Sequence, residues 1–419
     1  MNRSKLVVAF GSGLALAALY VGGAAHAADA KQPPISGFLA RPLKDAQDAI
    51  KAMDYNKAVT SLKKAQDAKG KKTPFDSYVI DVLFLQAYDG LHDRADEAPM
   101  LMQASNSQYA NAEQQQSWRR VAVGIYFQDK NYAKTIEAGE EAIQHGTSQD
   151  VYATVALAQQ ALGKYKDAAA TVEKVIEKQP KPAENLLVFQ WNAYSKIGDK
   201  ADAAKVIDKL VTYYPKPDYW LNAMNPLLHM DINDAHVQLE VYRLMDDVGV
   251  LKQPRDFAQM AQLSFDQGYP GETVAILQEA FQKKVFTDPR DVLRYQHLLM
   301  GAMQRATQDQ AQLPAEVQKA QAASGGDQLV AVGEAYLSYN QPDRAVPLME
   351  AGVAKGGLKY PEEANLLLGI AQLRSHNAAG AHRSFDKVAS SSNEGYAQLG
   401  RLWVLHSAAA AHSAGGPPS

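Results

Sequence analysis

The stretch from Asp150 to Pro180 constrains the fold of this chain more than any other. Its first half carries apolar and small residues at the spacing of one helical face, and Gly163 then interrupts the period. Small residues at Ala156 and Ala168 would let two antiparallel helices approach closely. The stretch therefore predicts a helical hairpin; the inward stripe of its second helix is Tyr165, Ala168, Val172 and Val175.

Comparable helical pairs recur from Pro42 onward, about ten in all. The pattern weakens between Lys216 and Pro254, where two irregular helices are still expected. A Gln- and Ala-rich stretch is expected to form one further pair, Arg290–Arg305 and Gln308–Ala323. A final helix from Glu394 to about Ala410 would cover the open end of the array, because a terminal unit has no neighbour on its outer face. The sequence predicts an all-α, right-handed α-solenoid (a superhelix) of about ten hairpins with a C-terminal capping helix.

The Asp150–Pro180 unit resembles the tetratricopeptide repeat (TPR), whose layout is W-x2-L-G-x2-Y, A-x3-F, P. Tyr152 stands in the place of the Trp, Ala156 in that of the Gly and Val172 in that of the Phe. The resemblance implies a non-catalytic scaffold that binds protein or peptide partners.

Two short motifs resemble a narrower group. They are YYPKPDYW at 213–220 and GGLK at 356–359, the latter leading into EANLLLG at 363–369. These stretches are similar to those of periplasmic TPR proteins that accompany TonB/ExbB/ExbD energy-transduction systems in proteobacteria. The resemblance implies a helper of TonB-dependent outer-membrane uptake that docks an envelope energy-transduction component.

The first 27 residues have the layout of a signal peptide. Arg3 and Lys5 form a basic start, Leu6 to Val21 is an uncharged apolar run, and residues 25–27 read Ala-His-Ala, an A-x-A cleavage site. A retained anchor is the alternative, since about 20 apolar residues can just span a bilayer. The chain contains no Cys, which excludes a lipobox anchor, disulfides and thiolate metal sites. Export without disulfides fits a bacterial periplasm, and no membrane span is expected after cleavage.

Downstream of the signal peptide, residues 28–41 are expected to be a flexible lead-in, 42–412 the solenoid and 413–419 a disordered tail. Cleavage removes two of the 43 basic residues and leaves 41 against 46 acidic ones, a net charge of −5. This mild acidity, without a basic stripe, argues against a nucleic-acid partner.

In such an array the first helix of each pair is expected to line a concave groove, with residues one position past the packing residues pointing into it. These side chains would hold a partner peptide through amides and charges, although an ordinary solvated face explains them equally well. The predicted groove residues are Gln160, Asn185, Asn192, Lys196, Gln262, Asp266, Asp327, Glu334 and Arg374.

An aromatic cluster surrounds two Pro residues where the repeat weakens. Exposed Tyr and Trp side chains anchor many interfaces, so the cluster is a candidate partner anchor. Alternatively, it plugs the seam between two imperfect repeats. Its members are Tyr213, Tyr214, Tyr219 and Trp220.

Three common catalytic motifs are missing from the chain: H-E-x-x-H, G-x-S-x-G and a P-loop. His229 and His236 lie near Asp231 and Asp234, but helix-capping Asp and surface His residues account for them without a metal. We therefore expect no enzyme activity, cofactor or metal. The alternatives are an accessory scaffold for envelope polysaccharide or peptidoglycan machinery, a membrane-anchored spacer, and an enzyme whose unrecognised site would show as a deep closed cavity with buried charged groups.

Overall fold

A computed structural model describes residues 32–229 and 235–414, with the backbone alone for 409–414. The predicted signal peptide (1–27), Asp231, Asp234 and residues 415–419 lie outside the described residues. Within the described ranges the chain is helical and contains no strand, which confirms the all-α class. None of the helices in those ranges is both long enough and apolar enough to cross a bilayer.

The chain divides between Ala203 and Ala204 into two compact units, each described by itself. A 3-10 turn at Gly37–Leu39 precedes the helices of the first unit, which are α1 (Ala40–Lys51), α2 (Tyr55–Asp67), α3 (Pro74–Leu91), α4 (Arg94–Ser105), α5 (Ala112–Gln128), α6 (Tyr132–Gln144), α7 (Gln149–Ala161), α8 (Tyr165–Ile176) and α9 (Glu184–Ile197). The helix α10 (Lys200–Tyr213) contains the division.

The second unit continues in the same tandem manner. Its helices are α11 (Pro217–His229), α12 (Ala235–Asp247), α13 (Pro254–Asp266), α14 (Pro270–Gln282), α15 (Pro289–Ala322), α16 (Asp327–Ser338), α17 (Pro342–Lys355), α18 (Pro361–Arg374), α19 (Ala378–Ala389) and α20 (Glu394–Ala414). In both units consecutive helices pack as TPR-like hairpins. Handedness and continuity of one superhelix through residues 42–412 stay predictions.

Several of the tight turns between helices share one local structure. A residue in the left-handed region, such as Lys130 at φ 58° or His376 at φ 62°, ends one helix. The next residue, Asn131 or Asn377, caps the following helix by accepting a backbone N–H hydrogen bond from the residue three positions on. This pairing fixes the short hairpin connection from local sequence alone.

Small residues set the distance between packed helices, as the sequence predicts. Ala156 on α7 and Ala168 on α8 are completely buried. On α6, a methyl group built on Gly139 would lie 2.1 Å from Cγ2 of Val155. Helices at this spacing leave no room for a larger residue at these contacts.

The first helix begins earlier than the sequence predicts. Leu39 is completely buried and α1 starts at Ala40, two residues before the expected start of the solenoid. Ser36 is also fixed, because its backbone N–H and hydroxyl both donate hydrogen bonds to the buried carboxylate of Asp76, at 2.9 and 2.6 Å. Burial alone would raise the pKa of Asp76, but these bonds and those from Thr73 lower it.

One predicted hairpin is a single helix. The sequence predicts two helices, Arg290–Arg305 and Gln308–Ala323, but α15 runs without a break from Pro289 to Ala322. Residues 306–310 (ATQDQ) include neither Gly nor Pro, so nothing there stops a helix. Thr307 instead donates its hydroxyl to the carbonyl of Met303, a bond compatible with helix continuation.

The final helix caps the array as expected and has a second contact. Leu399 and Trp403 are completely buried, and Trp403 stacks on Phe385 of α19 with ring centroids 5.3 Å apart. On another side α20 contacts α11 and α12, where Gln398 donates to the carbonyl of Ala223 at 3.1 Å. The end of the second unit therefore packs against its beginning.

The close packing at Gly369 on α18 gives a stability prediction. A methyl group there would lie 2.4 Å from Cε1 of Phe385, which cannot yield because it is buried against Trp403. We expect Gly369→Ala to lower the free energy of unfolding by about 1–3 kcal/mol, measured by urea unfolding.

A matched control lies inside α15, where the nearest atom to a methyl group on Gly301 is Cζ of Phe265 at 3.9 Å. Gly301→Ala should raise the free energy of unfolding by about 0.5–1 kcal/mol, because Ala restricts the unfolded chain. Equal effects of the two substitutions would contradict the packing described for α18 and α19.

Candidate functional site

The helix α12 is enclosed within the second unit. No residue from 236 to 247 is exposed. Gln238, Tyr242 and Asp246 are half-buried along one stripe, and the other faces carry the buried residues Val237, Leu239, Glu240, Val241, Arg243, Leu244 and Met245. The helix packs against α11, α13 and α20, and its polar side chains reach α14, α16 and α18. A surface helix leaves one face exposed to solvent, so the lack of an exposed residue between positions 236 and 247 identifies α12 as an interior helix of this unit.

Arg243 is the centre of a buried charged cluster on α12. Its side chain is 6% exposed, and Nε and Nη2 donate to the two carboxylate oxygens of Glu272 at 2.8 and 2.7 Å. Nη1 donates to Glu240, one turn earlier, and lies 3.4 Å from Oε1 of Glu334. The guanidinium therefore joins α12 to α14 and α16 through a two-point fork and a shared third donor.

Glu363 of α18 completes what we call the Arg243 cluster. Its Oε1 lies 2.7 Å from Nδ1 of His236, at the start of α12. Carboxylate oxygens of Glu240, Glu334 and Glu363 lie within 4.8 Å of one another. The cluster thus sets four carboxylates (Glu240, Glu272, Glu334 and Glu363) around one guanidinium.

This excess of acid shifts the protonation of the cluster. Burial raises the pKa of Glu240 to about 8, since the repulsion from neighbouring carboxylates adds to burial and outweighs the attraction of Arg243. Burial likewise raises the pKa of Glu334 to about 7. The pKa of Arg243 rises despite its burial, because Glu240 and Glu272 stabilise its charge. Both buried carboxyls therefore bind a proton more tightly than an exposed glutamate does.

A cavity of about 250 Å³ adjoins the cluster. Its charged lining includes Arg243, Asp246, Glu272, Glu334 and Arg374, and its apolar lining comes from α13, α14, α16 and α18. Burial raises the pKa of Asp246 to about 6, with repulsion from Glu279 adding to it. The space is large enough for several water molecules, each of which takes roughly 30 Å³.

The other end of α12 is held by a second set of charges. Oδ2 of Asp247 lies 2.7 Å from Nε2 of His406 on α20, and Oδ1 lies 3.6 Å from Nη2 of Arg374 on α18. Burial would raise the pKa of Asp247, but these two partners lower it. Charged contacts therefore fix both ends of α12 within the unit.

The predicted groove residues fall into two groups. Glu334 and Arg374 face α12 through Arg243 and Asp247, so a helix of the chain itself occupies the space beside them. The others are exposed or half-buried and none belongs to the Arg243 cluster: Gln160, Asn185, Asn192, Lys196, Gln262, Asp266 and Asp327. Of these, Gln262 donates to Asp266 at 2.9 Å, and Asp327 accepts the backbone N–H of Lys359 at 2.9 Å.

The four residues of the aromatic cluster differ in burial. Trp220 is 4% exposed and meets the His406 ring edge-on, with centroids 6.0 Å apart. This contact supports packing between helices for Trp220. Tyr213, Tyr214 and Tyr219 are half-buried.

The sequence reasoning missed Glu240, Arg243, Glu272 and Glu363. A signal was present, because Glu240 and Arg243 lie among the apolar residues Leu239, Val241 and Leu244. The partner of Arg243 on α16 lies 91 residues away, however, and no local pattern connects the two residues.

An unrecognised enzyme site would show as a deep closed cavity with buried charged groups, whereas the cavity beside the Arg243 cluster is partly open to solvent. Here the charged groups engage one another and hold α12 in place. Ion-pair networks of this kind perturb pKa values without catalysis.

No protein-family model matches the chain, and no curated protein matches its sequence. Solved structures that align with it include a tetratricopeptide repeat protein from Parabacteroides merdae, at 13% identity and a TM-score of 0.27, covering 78% of this chain and 98% of that one. Naa15/Naa10 bound to HypK-THB aligns at 14% identity and a TM-score of 0.25, covering 84% and 60%. The TPR domain of P58(IPK) aligns at 10% identity and a TM-score of 0.22, and the alignment covers 90% of this chain and 99% of that one. We base the fold class on the chain's own helical hairpins.

The Arg243 cluster gives a prediction for Arg243→Met. The folded protein holds protons on Glu240 and Glu334 that the unfolded chain has released, so stability falls as the pH rises toward 7 to 8. Without the guanidinium this fall should steepen, and the variant should lose about 3–5 kcal/mol at about pH 8.5, where buried carboxylates lack a partner. Urea unfolding at about pH 5.5 and 8.5 measures both effects.

The matched control is Arg290→Met, since the Arg290 side chain is 91% exposed beside Asp288. That variant should follow the wild-type pH dependence. Parallel pH curves for Arg243→Met and the wild type would show that Arg243 does not hold the buried charge.

Proposed function

We propose that this chain is a non-catalytic periplasmic scaffold of TPR-like hairpins that binds protein partners through its first unit and supports TonB-dependent outer-membrane uptake. The observation that carries the binding part is a row of exposed polar side chains on α9, Asn185, Asn192 and Lys196, which we call the α9 face.

The α9 face is presented on a fixed helix. Residues seven and eleven positions apart lie on one side of an α-helix, so the three side chains form one row. The opposite side is held by Leu186, Leu187, Gln190 and Ala193, all buried. A surface that is rigid before binding loses less entropy when a partner docks, so modest polar contacts suffice for affinity.

The second unit is a weaker candidate for peptide binding. The space beside Glu334 and Arg374 contains α12, and both ends of that helix are anchored by charges. A partner peptide would have to displace α12 and leave Arg243 and its carboxylates without their contacts. We therefore assign partner binding to the first unit.

The cellular part of the proposal rests on the sequence. The signal-peptide layout of residues 1–27 supports export, and the motifs at 213–220 and 356–369 support an association with TonB/ExbB/ExbD systems. In this role the chain would hold the periplasmic domain of TonB or ExbD near its site of work.

A binding experiment tests the proposal. The purified mature chain is titrated with the periplasmic domains of TonB and ExbD from the same organism, and at least one should bind. Asn192→Ala/Lys196→Ala should weaken that binding about tenfold, as expected for losing about 1.4 kcal/mol of polar contacts. Asn56→Ala/Lys63→Ala changes the same residue types at exposed positions of α2 in the same unit and should leave affinity unchanged.

Two outcomes would overturn the proposal. If neither domain binds, the association with the TonB system is wrong; if both double variants bind equally, the α9 face is wrong. Localisation is measured separately by mass spectrometry of the N-terminus in fractionated cells. We expect Ala28 as the first residue, and an intact Met1 would favour the membrane-anchored alternative.

A further inference from the structure

We propose that the second unit binds one hard divalent cation, of the calcium class, through the carboxylates of Glu240, Glu334 and Glu363. We call these three residues the carboxylate triad. They come from three helices, α12, α16 and α18, and all are buried.

The spacing of the carboxylate triad suits a single ion. One carboxylate oxygen from each residue lies within 4.8 Å of the others. Two ligands that each lie about 2.3–2.6 Å from one Ca²⁺ are at most roughly 5 Å apart. The three oxygens can therefore contact one ion after only small side-chain adjustments.

An unpartnered oxygen provides independent evidence for a ligand. Glu240 is completely buried, and its Oε1 accepts the hydrogen bond from Arg243. Its other oxygen, Oε2, is buried and has no hydrogen-bond partner among the described residues. A buried carboxylate oxygen without a partner costs about 1–3 kcal/mol or more. A cation at Oε2 would remove that cost.

The charge balance favours a cation at the same place. The fork of Arg243 is taken by Glu272, and only Nη1 remains to be shared between Glu240 and Glu334. The carboxylate triad thus holds three acidic groups with a fraction of one positive charge, apart from the contact of His236 with Glu363. When the three carboxyls are ionised, a dication would neutralise most of the excess, and Oε2 of Glu240 accepts no hydrogen bond from Arg243 that would compete with it.

The donor set selects the kind of ion. All three ligands are carboxylates, which suit Ca²⁺, Mg²⁺ and Mn²⁺ rather than soft metals. Three carboxylates leave positions for water, and the adjacent cavity of about 250 Å³, which Glu334 also lines, can supply it. Calcium tolerates irregular geometry better than magnesium, which requires a near-ideal octahedron. We therefore expect Ca²⁺ to bind more tightly than Mg²⁺.

Calorimetry tests the cation site without reference to partner binding. The full mature chain is stripped with EDTA and titrated with CaCl2 and then MgCl2, and we expect one Ca²⁺ per chain and a higher Tm in its presence. Glu334→Gln and Glu363→Gln should each weaken Ca²⁺ binding at least tenfold, as expected for losing one charged ligand. Glu97→Gln replaces a buried glutamate of the first unit, 3% exposed, and should leave Ca²⁺ affinity unchanged.

A second readout covers variants that fold poorly. Tb³⁺ replaces Ca²⁺ in oxygen sites, and nearby aromatic rings sensitise its luminescence. Tyr269 is such a ring, because its centroid lies 5.0 Å from the guanidinium carbon of Arg243. Calcium should quench wild-type Tb³⁺ emission by competition, and Tyr269→Phe should reduce the emission while keeping the Ca²⁺ stoichiometry. No Ca²⁺ binding to the wild type, or equal binding by Glu334→Gln, Glu363→Gln and Glu97→Gln, would overturn the site.

Discussion

The contact between the guanidinium of Arg243 and the carboxylates around it determines how the second unit is built. Arg243 lies on an interior helix, and its partners come from helices far apart in sequence, with 91 residues between Arg243 and Glu334. Replacing such a buried network by apolar residues often leaves stability unchanged or higher, so its main effect is on specificity. An apolar α12 could rotate or slide among its neighbours, whereas Arg243 fits only where the carboxylates converge.

Because of that constraint we propose different roles for the two units. In the second unit the residues that the sequence assigns to a groove, Glu334 and Arg374, contact the chain's own α12. In the first unit the α9 face is exposed on a helix whose other side is buried. The proposed partner surface and the proposed cation site therefore lie on different units, and each can be tested without disturbing the other.

Local chemistry made much of the fold predictable. The hairpin α7–α8, its small contact residues Ala156 and Ala168, and the final helix starting at Glu394 all follow from patterns within one or two turns of helix. The repeating hairpins on either side led to the prediction of two helices where α15 is one. Residues 306–310, between the two predicted helices, include no helix-breaking residue. The spacing of apolar residues indicates where helices lie, but a helix-terminating residue such as Gly or Pro is needed to divide one helix from the next.

The charged site was not predictable for a different reason. The weakened pattern between Lys216 and Pro254 marks the region correctly, yet it indicates only irregular packing. Glu240 and Arg243 are recognisable as charges inside an apolar helix, but the choice of Glu272, Glu334 and Glu363 as partners depends on how several hairpins curve around α12. Such curvature accumulates over many residues, and a single sequence does not encode it in any short motif.

The enclosure of α12 is the claim on which this account depends, and amide hydrogen exchange with mass spectrometry measures it directly. Backbone amides of peptides covering 237–245 should exchange as slowly as those of the buried helix α18, because α12 opens only when the unit unfolds. Exchange of α12 as fast as the exposed stretch of α15 around Met300 would contradict the account. It would show that α12 leaves the interior readily and that the residues beside it are open to partners.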